Sequence, residues 1–266
     1  MSPSEERPPI HAVTVGDSGS PIVFLHGLFG QGKNFTQAAK SLRPDFQSVL
    51  VDLPNHGRSA WSASVDYDDQ ADRVATFLRQ GIGAEVPVDL VGHSMGGKVA
   101  MCLALRHPDL VRRLVIADIS PTASAGSGEF EHLLQSLAAL DLASLSRRGE
   151  ADDLLADAIP DPRVRGFLLQ NLRSGPDGFF WQANLEILRR DLATIGGFPA
   201  HDGTFDGPVL WLAGELSDYI AEQDEPEMRR LFPRTRLVTI KGAGHWVHSE
   251  QPEAFVSALR VFLSAD

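Results

Sequence analysis

The chain predicts an α/β fold, with a mostly parallel, doubly wound sheet and a helical cap inserted after the sixth strand. Three observations point there. Short apolar runs alternate with amphipathic stretches along most of the length. Several runs lack polar alternation, as strands covered on both faces do. From about residue 121 to 198 only helical patterns appear. At 266 residues the chain can bury a large core, and one domain with an insertion suits that length better than two equal ones. The division expected is a core of 1–120 and 199–266 with a cap of 121–198.

Strands are expected at 11–15 and 21–25, and the second runs into the Gly-rich turn His26-Gly27-Leu28-Phe29-Gly30. A helix at 34–42 leads to a strand at 48–52 and to the turn-rich loop Asp52-Leu53-Pro54-Asn55-His56-Gly57-Arg58-Ser59. After a helix at 67–80, a strand at 86–91 enters Gly92-His93-Ser94-Met95-Gly96, with a helix at 95–107 directly behind and a strand at 114–117 beyond. In the insertion, Phe130, Leu133, Leu134, Leu137 and Leu140 follow helical spacing, and further helices are expected at 150–159, 163–172 and 181–195. Strands at 208–213 and 236–240 alternate with helices at 225–232 and 252–263. The last helix carries Phe255, Leu259, Phe262 and Leu263 on one face and Pro252 in its first turn.

Apolar residues make up 43% of the chain and charged ones 22%, as in ordinary globular proteins. A net charge of −11 argues against nucleic acid and against anionic membranes as partners. The single cysteine, Cys102, has apolar neighbours on every side and is expected to be a buried, inert thiol. Met1 to Arg7 lacks an apolar segment suited to secretion, and no run is long enough to span a bilayer. The expected location is cytoplasmic.

Strand, Gly-x-Ser-x-Gly, then helix is the pattern of a nucleophile elbow, a sharp turn that lifts one hydroxyl above a sheet. A serine hydroxyl is a weak nucleophile and needs a base within reach. His245, in the Gly-rich loop Lys241-Gly242-Ala243-Gly244-His245-Trp246 after the last strand, is the best candidate. His26, His56 and His93 precede Ser94 or the acid, the wrong chain order for such a site, and His248 starts the final helical region. Two carboxylates fit the acid: Asp118, ending Leu114-Val115-Ile116-Ala117, and Asp218, after Gly214-Glu215-Leu216-Ser217. Asp118 is preferred, because Ser217 occupies the place where the second loop's usual carboxylate would fall. Oxyanion donors are expected from the N–H of Met95 and of Leu28, with Phe29 the neighbouring choice. Phe29, Trp181 and Trp246 are candidate walls of an acyl pocket. No metal is expected, since His245-x-x-His248 lacks a further ligand cluster. The full phosphate-binding patterns Gly-x-Gly-x-x-Gly and Gly-x-x-x-x-Gly-Lys-Ser/Thr are absent.

The turn after the second strand, Asp52 to Ser59, Gly92 to Lys98, Ala117-Asp118-Ile119-Ser120-Pro121 and Gly242 to His248 together resemble the α/β-hydrolase superfamily over essentially the whole chain. Within it the match is to the YbfF-like small esterases. The resemblance implies Ser94 as nucleophile, His245 as base, Asp118 as acid, a helical cap, no cofactor, and hydrolysis of carboxylic esters or thioesters. Asp218 departs from the group's pattern and keeps the second acid in play. The expected partner is therefore a small-molecule acyl ester or thioester of small to medium chain. Carbon–carbon bond hydrolysis and cofactor-free perhydrolase or haloperoxidase chemistry are alternatives on the same scaffold. A non-catalytic binding protein is the alternative from another class.

Overall fold

A computed structural model describes residues 7–123 and 127–265. Most of the N-terminal stretch read above for secretion lies outside the described residues, as does 124–126 of the insertion. The central sheet has seven strands: β1 (His11–Val15), β2 (Ser20–Leu25), β3 (Phe46–Asp52), β4 (Val88–His93), β5 (Val111–Ala117), β8 (Val209–Gly214) and β9 (Thr235–Ile240). Their spatial order is β1-β3-β2-β4-β5-β8-β9. Only β1 runs antiparallel, against β3, and the other pairs are parallel.

Alternate residues of these strands feed two cores. Val23 and Leu25 of β2, with Val49 and Val51 of β3, face the layer that holds α2 (Tyr67–Arg79) and α3 (Met95–Arg106). Ile22, Phe24 and Leu50 face α1 (Thr36–Ser41) and α11 (Pro252–Leu263), where Phe255, Leu259, Phe262 and Leu263 are buried. Both faces are therefore apolar, which is why the strands read as unbroken hydrophobic runs. α9 (Glu225–Leu231) and the single turn α10 (Val247–Glu250) complete the layers.

Between β5 and β8 lie α4 (Ser127–Ala138), α5 (Arg148–Leu155), α6 (Pro162–Leu169), the hairpin β6 (Leu172–Gly175) and β7 (Gly178–Trp181), α7 (Leu185–Arg190) and α8 (Leu192–Gly196). Two expectations need correction. The insertion follows the fifth strand, not the sixth, because the described residues hold one antiparallel edge strand and four parallel strands before it. The insertion is also not purely helical. Leu172 pairs with Trp181 and Gly175 with Gly178, where helices at 163–172 and 181–195 were expected. Pro176-Asp177-Gly178 supplies the turn chemistry that makes this a hairpin. Leu133, Leu134 and Leu137 of α4 are buried in the larger core, so the insertion shares it rather than forming its own.

Candidate active site

Parallel strands bring the loops after β2, β3, β4, β5, β8 and β9 to one edge of the sheet, and the chemistry-bearing residues gather there. Ser94 sits between β4 and α3 with φ 53° and ψ −123°, a conformation unfavourable for any residue with a Cβ. It is held by its N–H donating to the Ala117 carbonyl (3.0 Å) and by its carbonyl accepting from Gly97 (2.8 Å) and Lys98 (3.1 Å). The flanking glycines are sterically required. A Cβ on Gly96 would lie 2.4 Å from the Leu25 and His26 carbonyl oxygens, and one on Gly92 would lie 2.3 Å from the Gly96 oxygen.

From the loop after β9, His245 Nε2 reaches Ser94 Oγ at 2.9 Å, and its Nδ1 reaches Asp118 Oδ2 at 2.8 Å. Asp118 follows β5, is fully buried and also has a left-handed backbone, φ 54°. Its other oxygen accepts the Gly214 N–H at 2.8 Å, and Oδ2 also accepts the Ser217 hydroxyl. Asp218 is exposed, and the acid that the structure brings to the imidazole is Asp118. Ser217, which marked a vacancy in the sequence, instead donates to the carboxylate that replaces it. Tyr219 was not singled out from the sequence, yet its ring stacks on His245 with centroids 3.9 Å apart and planes at 25°. Partial burial and the nearby Glu129 and Asp118 push its hydroxyl up to about 12.

The turn after β2 lies directly against the serine: a Cβ on Gly27 would come within 3.1 Å of the Ser94 Cβ. Phe29, at φ 62°, directs its N–H to His56 Nε2 at 3.3 Å. The Gly30 N–H donates to the Gly27 carbonyl at 2.9 Å, and Leu28 and Met95, the expected donors, both lie beside Ser94 in the wall of one cavity. The Phe29 carbonyl accepts from Asn171 Nδ2 at 2.8 Å and Gln170 Nε2 at 3.3 Å, so the insertion braces the turn.

Two narrow cavities of about 10 and 30 Å³ meet at Ser94. Leu28 and Phe130 line both, Phe167, His245 and Trp246 line the first, and Ile195 and Tyr219 line the second. Through Phe167, Trp246 and His248 the first adjoins an outer groove of about 510 Å³. Of the expected pocket residues, Trp246 is in the wall. Phe29 is buried beneath the turn and Trp181 lies in the hairpin, neither of them lining these cavities.

A family model described as the alpha/beta hydrolase fold matches residues 20–252. The sn-1-specific diacylglycerol lipase ABHD11 of Danio rerio is 41% identical over 93% of this chain and 79% of its own length. Esterase YbfF of Escherichia coli (strain K12) is 32% identical over 93% of this chain and 94% of its own length. Among solved structures, a marine microorganism esterase aligns with a TM-score of 0.92 at 34% identity, covering 97% of this chain and all of that one.

Proposed function

The chain belongs to the α/β-hydrolase family and is a hydrolase of its esterase and lipase branch, and from that premise we propose a serine mechanism acting on carboxylic esters or thioesters. The observation that carries the proposal is the unbroken row of hydrogen bonds from Ser94 through His245 to Asp118. His245 Nε2 takes the Ser94 proton as Oγ attacks the acyl carbonyl, while Asp118 holds Nδ1–H and stabilises the imidazolium. The oxyanion is met by the N–H groups of Leu28 and Met95. The imidazolium returns its proton to the leaving alcohol or thiol, leaving an acyl group on Ser94. Water activated by the same ring then releases the acid. The chain's own residues supply every proton transfer in this scheme.

Residues 121–198 act as the cap over a core of 1–120 and 199–266. The cavities at Ser94 hold little more than a water or two at about 10 and 30 Å³, so an acyl chain enters by way of the outer groove with some displacement of Phe130, Phe167 or Trp246. That fit favours small to medium chains. The fish relative's name makes a diacylglycerol a substrate to test beside simple esters. A fluorophosphonate probe should label the intact protein once per chain and leave Ser94→Ala unlabelled. p-Nitrophenyl esters, acyl thioesters and a diacylglycerol would then rank the acyl and leaving groups. Failure of the folded protein to take the probe overturns the proposal.

A further inference from the structure

Away from Ser94, three side chains from distant parts of the chain converge beneath α2 and α3. Asp68 lies in the first turn of α2. Cys102 lies on α3, eight residues past Ser94 and so about 12 Å along the helix from it. His201 lies in the connection that returns to β8. The Asp68 carboxylate oxygen, the Cys102 Sγ and a His201 ring nitrogen all sit within 4.8 Å of one another. The proposed reaction at Ser94 uses none of them.

Their polar atoms are poorly served by the protein. Asp68 Oδ1 and His201 Nε2 are both buried and neither has a hydrogen-bond partner. They lie 3.4 Å apart, within ion-pair range but without a hydrogen bond between them, and the Cys102 thiol is hydrogen-bonded to the Asp68 side chain. Buried polar atoms are almost always satisfied, so two adjacent orphans require an explanation. Two ligands on a tetrahedral zinc ion, each about 2.0–2.1 Å from the metal, are themselves about 3.4 Å apart. The Asp68 and His201 atoms already have that spacing.

We propose that Asp68, Cys102 and His201 form a zinc-binding site that fastens the return from the insertion to helices α2 and α3. The donor set of one thiolate, one imidazole and one carboxylate suits a borderline-soft divalent ion, with water as the fourth ligand. On binding, the Cys102 thiol releases its proton to solvent as the metal–sulfur bond forms. Thiolate and carboxylate together offset the ion's two positive charges, which matters most at the buried Cys102. Outer contacts already orient the ligands. Arg106 Nη1 holds the second Asp68 oxygen at 3.3 Å, and Arg230 Nη2 donates to the His201 carbonyl at 3.0 Å.

The test uses tag-free, chelator-treated full-length protein titrated with Zn²⁺ and, separately, Co²⁺. One equivalent of zinc should bind by calorimetry, and cobalt should give thiolate-to-metal charge-transfer absorption with tetrahedral d–d bands. His201→Ala should weaken zinc at least about 100-fold, since even outer-sphere changes cost 10–100-fold. Asp68→Asn should weaken it too, and Cys102→Ser should abolish the charge-transfer band. His201 is partly accessible, with 11% of its side chain exposed, so its variant should fold even if that of the buried cysteine does not. Absence of stoichiometric uptake overturns the proposal. So does uptake that survives His201→Ala but falls with His245→Ala, which would put the metal at the serine instead.

Discussion

Asp118→Asn tests the proposed mechanism most sharply, because the structure dictates the sign of every consequence. The Asp118 carboxylate receives three donors and offers none: the Gly214 N–H on Oδ1, and the Ser217 hydroxyl and His245 Nδ1 on Oδ2. An asparagine can keep its oxygen on the Gly214 N–H, a buried bond that anchors the rotamer. Its amide nitrogen then faces the Ser217 hydroxyl and the imidazole. The hydroxyl can rotate to accept, but Nδ1 must also become an acceptor, which moves the ring's only proton to Nε2. In that tautomer Nε2 cannot take the proton of Ser94. The left-handed backbone at this position, φ 54°, is one that asparagine tolerates well, so the fold should persist. An equivalent tautomer error in a serine protease triad costs about 10⁴ in kcat, or about 5.5 kcal/mol of barrier. The same loss is expected here in p-nitrophenyl ester hydrolysis, with circular dichroism unchanged. Asp218→Asn, at an exposed side chain, should stay within about threefold of the parent. Retention of more than a tenth of the activity by Asp118→Asn, or an equal loss in Asp218→Asn, refutes the assignment of the acid.

Two further outcomes follow from the residues that hold the site. Lys98 is almost fully buried and donates to the Thr122, Gly196 and Gly197 carbonyls at 3.1, 2.7 and 2.8 Å, tying both ends of the insertion to the helix behind Ser94. Burial pushes its ammonium down from 10.5 to about 8. The unfolded chain therefore binds the extra proton between those values, and stability from this group rises with pH across that window. The stability of the parent relative to Lys98→Met should increase by up to about 3 kcal/mol from pH 8 to 10.5 in urea titrations, and a flat or falling difference contradicts it. Asn171→Ala removes the bond to the Phe29 carbonyl and the acceptor for Gln31 Nε2 (3.0 Å). Loosening the turn that carries the proposed Leu28 oxyanion donor should lower kcat about tenfold with KM nearly unchanged, a fraction of what outright loss of a donor costs. A change confined to KM would mean that Asn171 shapes the pocket rather than the turn.

The sheet was legible because each central strand is buried on both faces, so composition alone marked it. Strand ends shifted by two or three residues, as at β4 and β5, where Pro87 and the start Val111-Arg112-Arg113 obscured the pattern. The hairpin was missed for a different reason. Phe179-Phe180-Trp181 has no polar alternation and imitates a helix core, while its decisive signal, Pro176-Asp177-Gly178, is a turn rather than a strand feature. In the candidate site, Ser94 and Asp118 directly follow β4 and β5, and His245 lies in the glycine-rich loop after β9, so topology brings all three to one edge of the sheet. Ser217 and Tyr219 reach Asp118 and His245 only through the path of a loop, which no local spacing encodes. The Asp68, Cys102 and His201 cluster was invisible for the same reason, since its members are far apart in sequence and share no motif.

The chain order that set aside His26, His56 and His93 as bases has a physical counterpart in their hydrogen bonds. His26 Nε2 accepts the Leu53 N–H at 3.0 Å, so its Nδ1 carries the proton and donates to the Gly27 carbonyl at 2.8 Å. His56 does the same between the Phe29 N–H and the Pro54 carbonyl. His93 donates from Nε2 to the carbonyl of His245 at 2.8 Å. Burial holds all three rings toward the neutral form, His56 down to about 3. A neutral imidazole offers one donor and one acceptor at opposite ends of a rigid ring, which suits it to span two backbone segments. These rings stitch the turn after β2 to the loop after β3 and steady the loop that carries the base. A ring used this way cannot also accept a proton from substrate chemistry without breaking the bonds that hold the site. His245 is the ring whose Nε2 is turned to the serine, and its neighbours keep it there by being unavailable themselves.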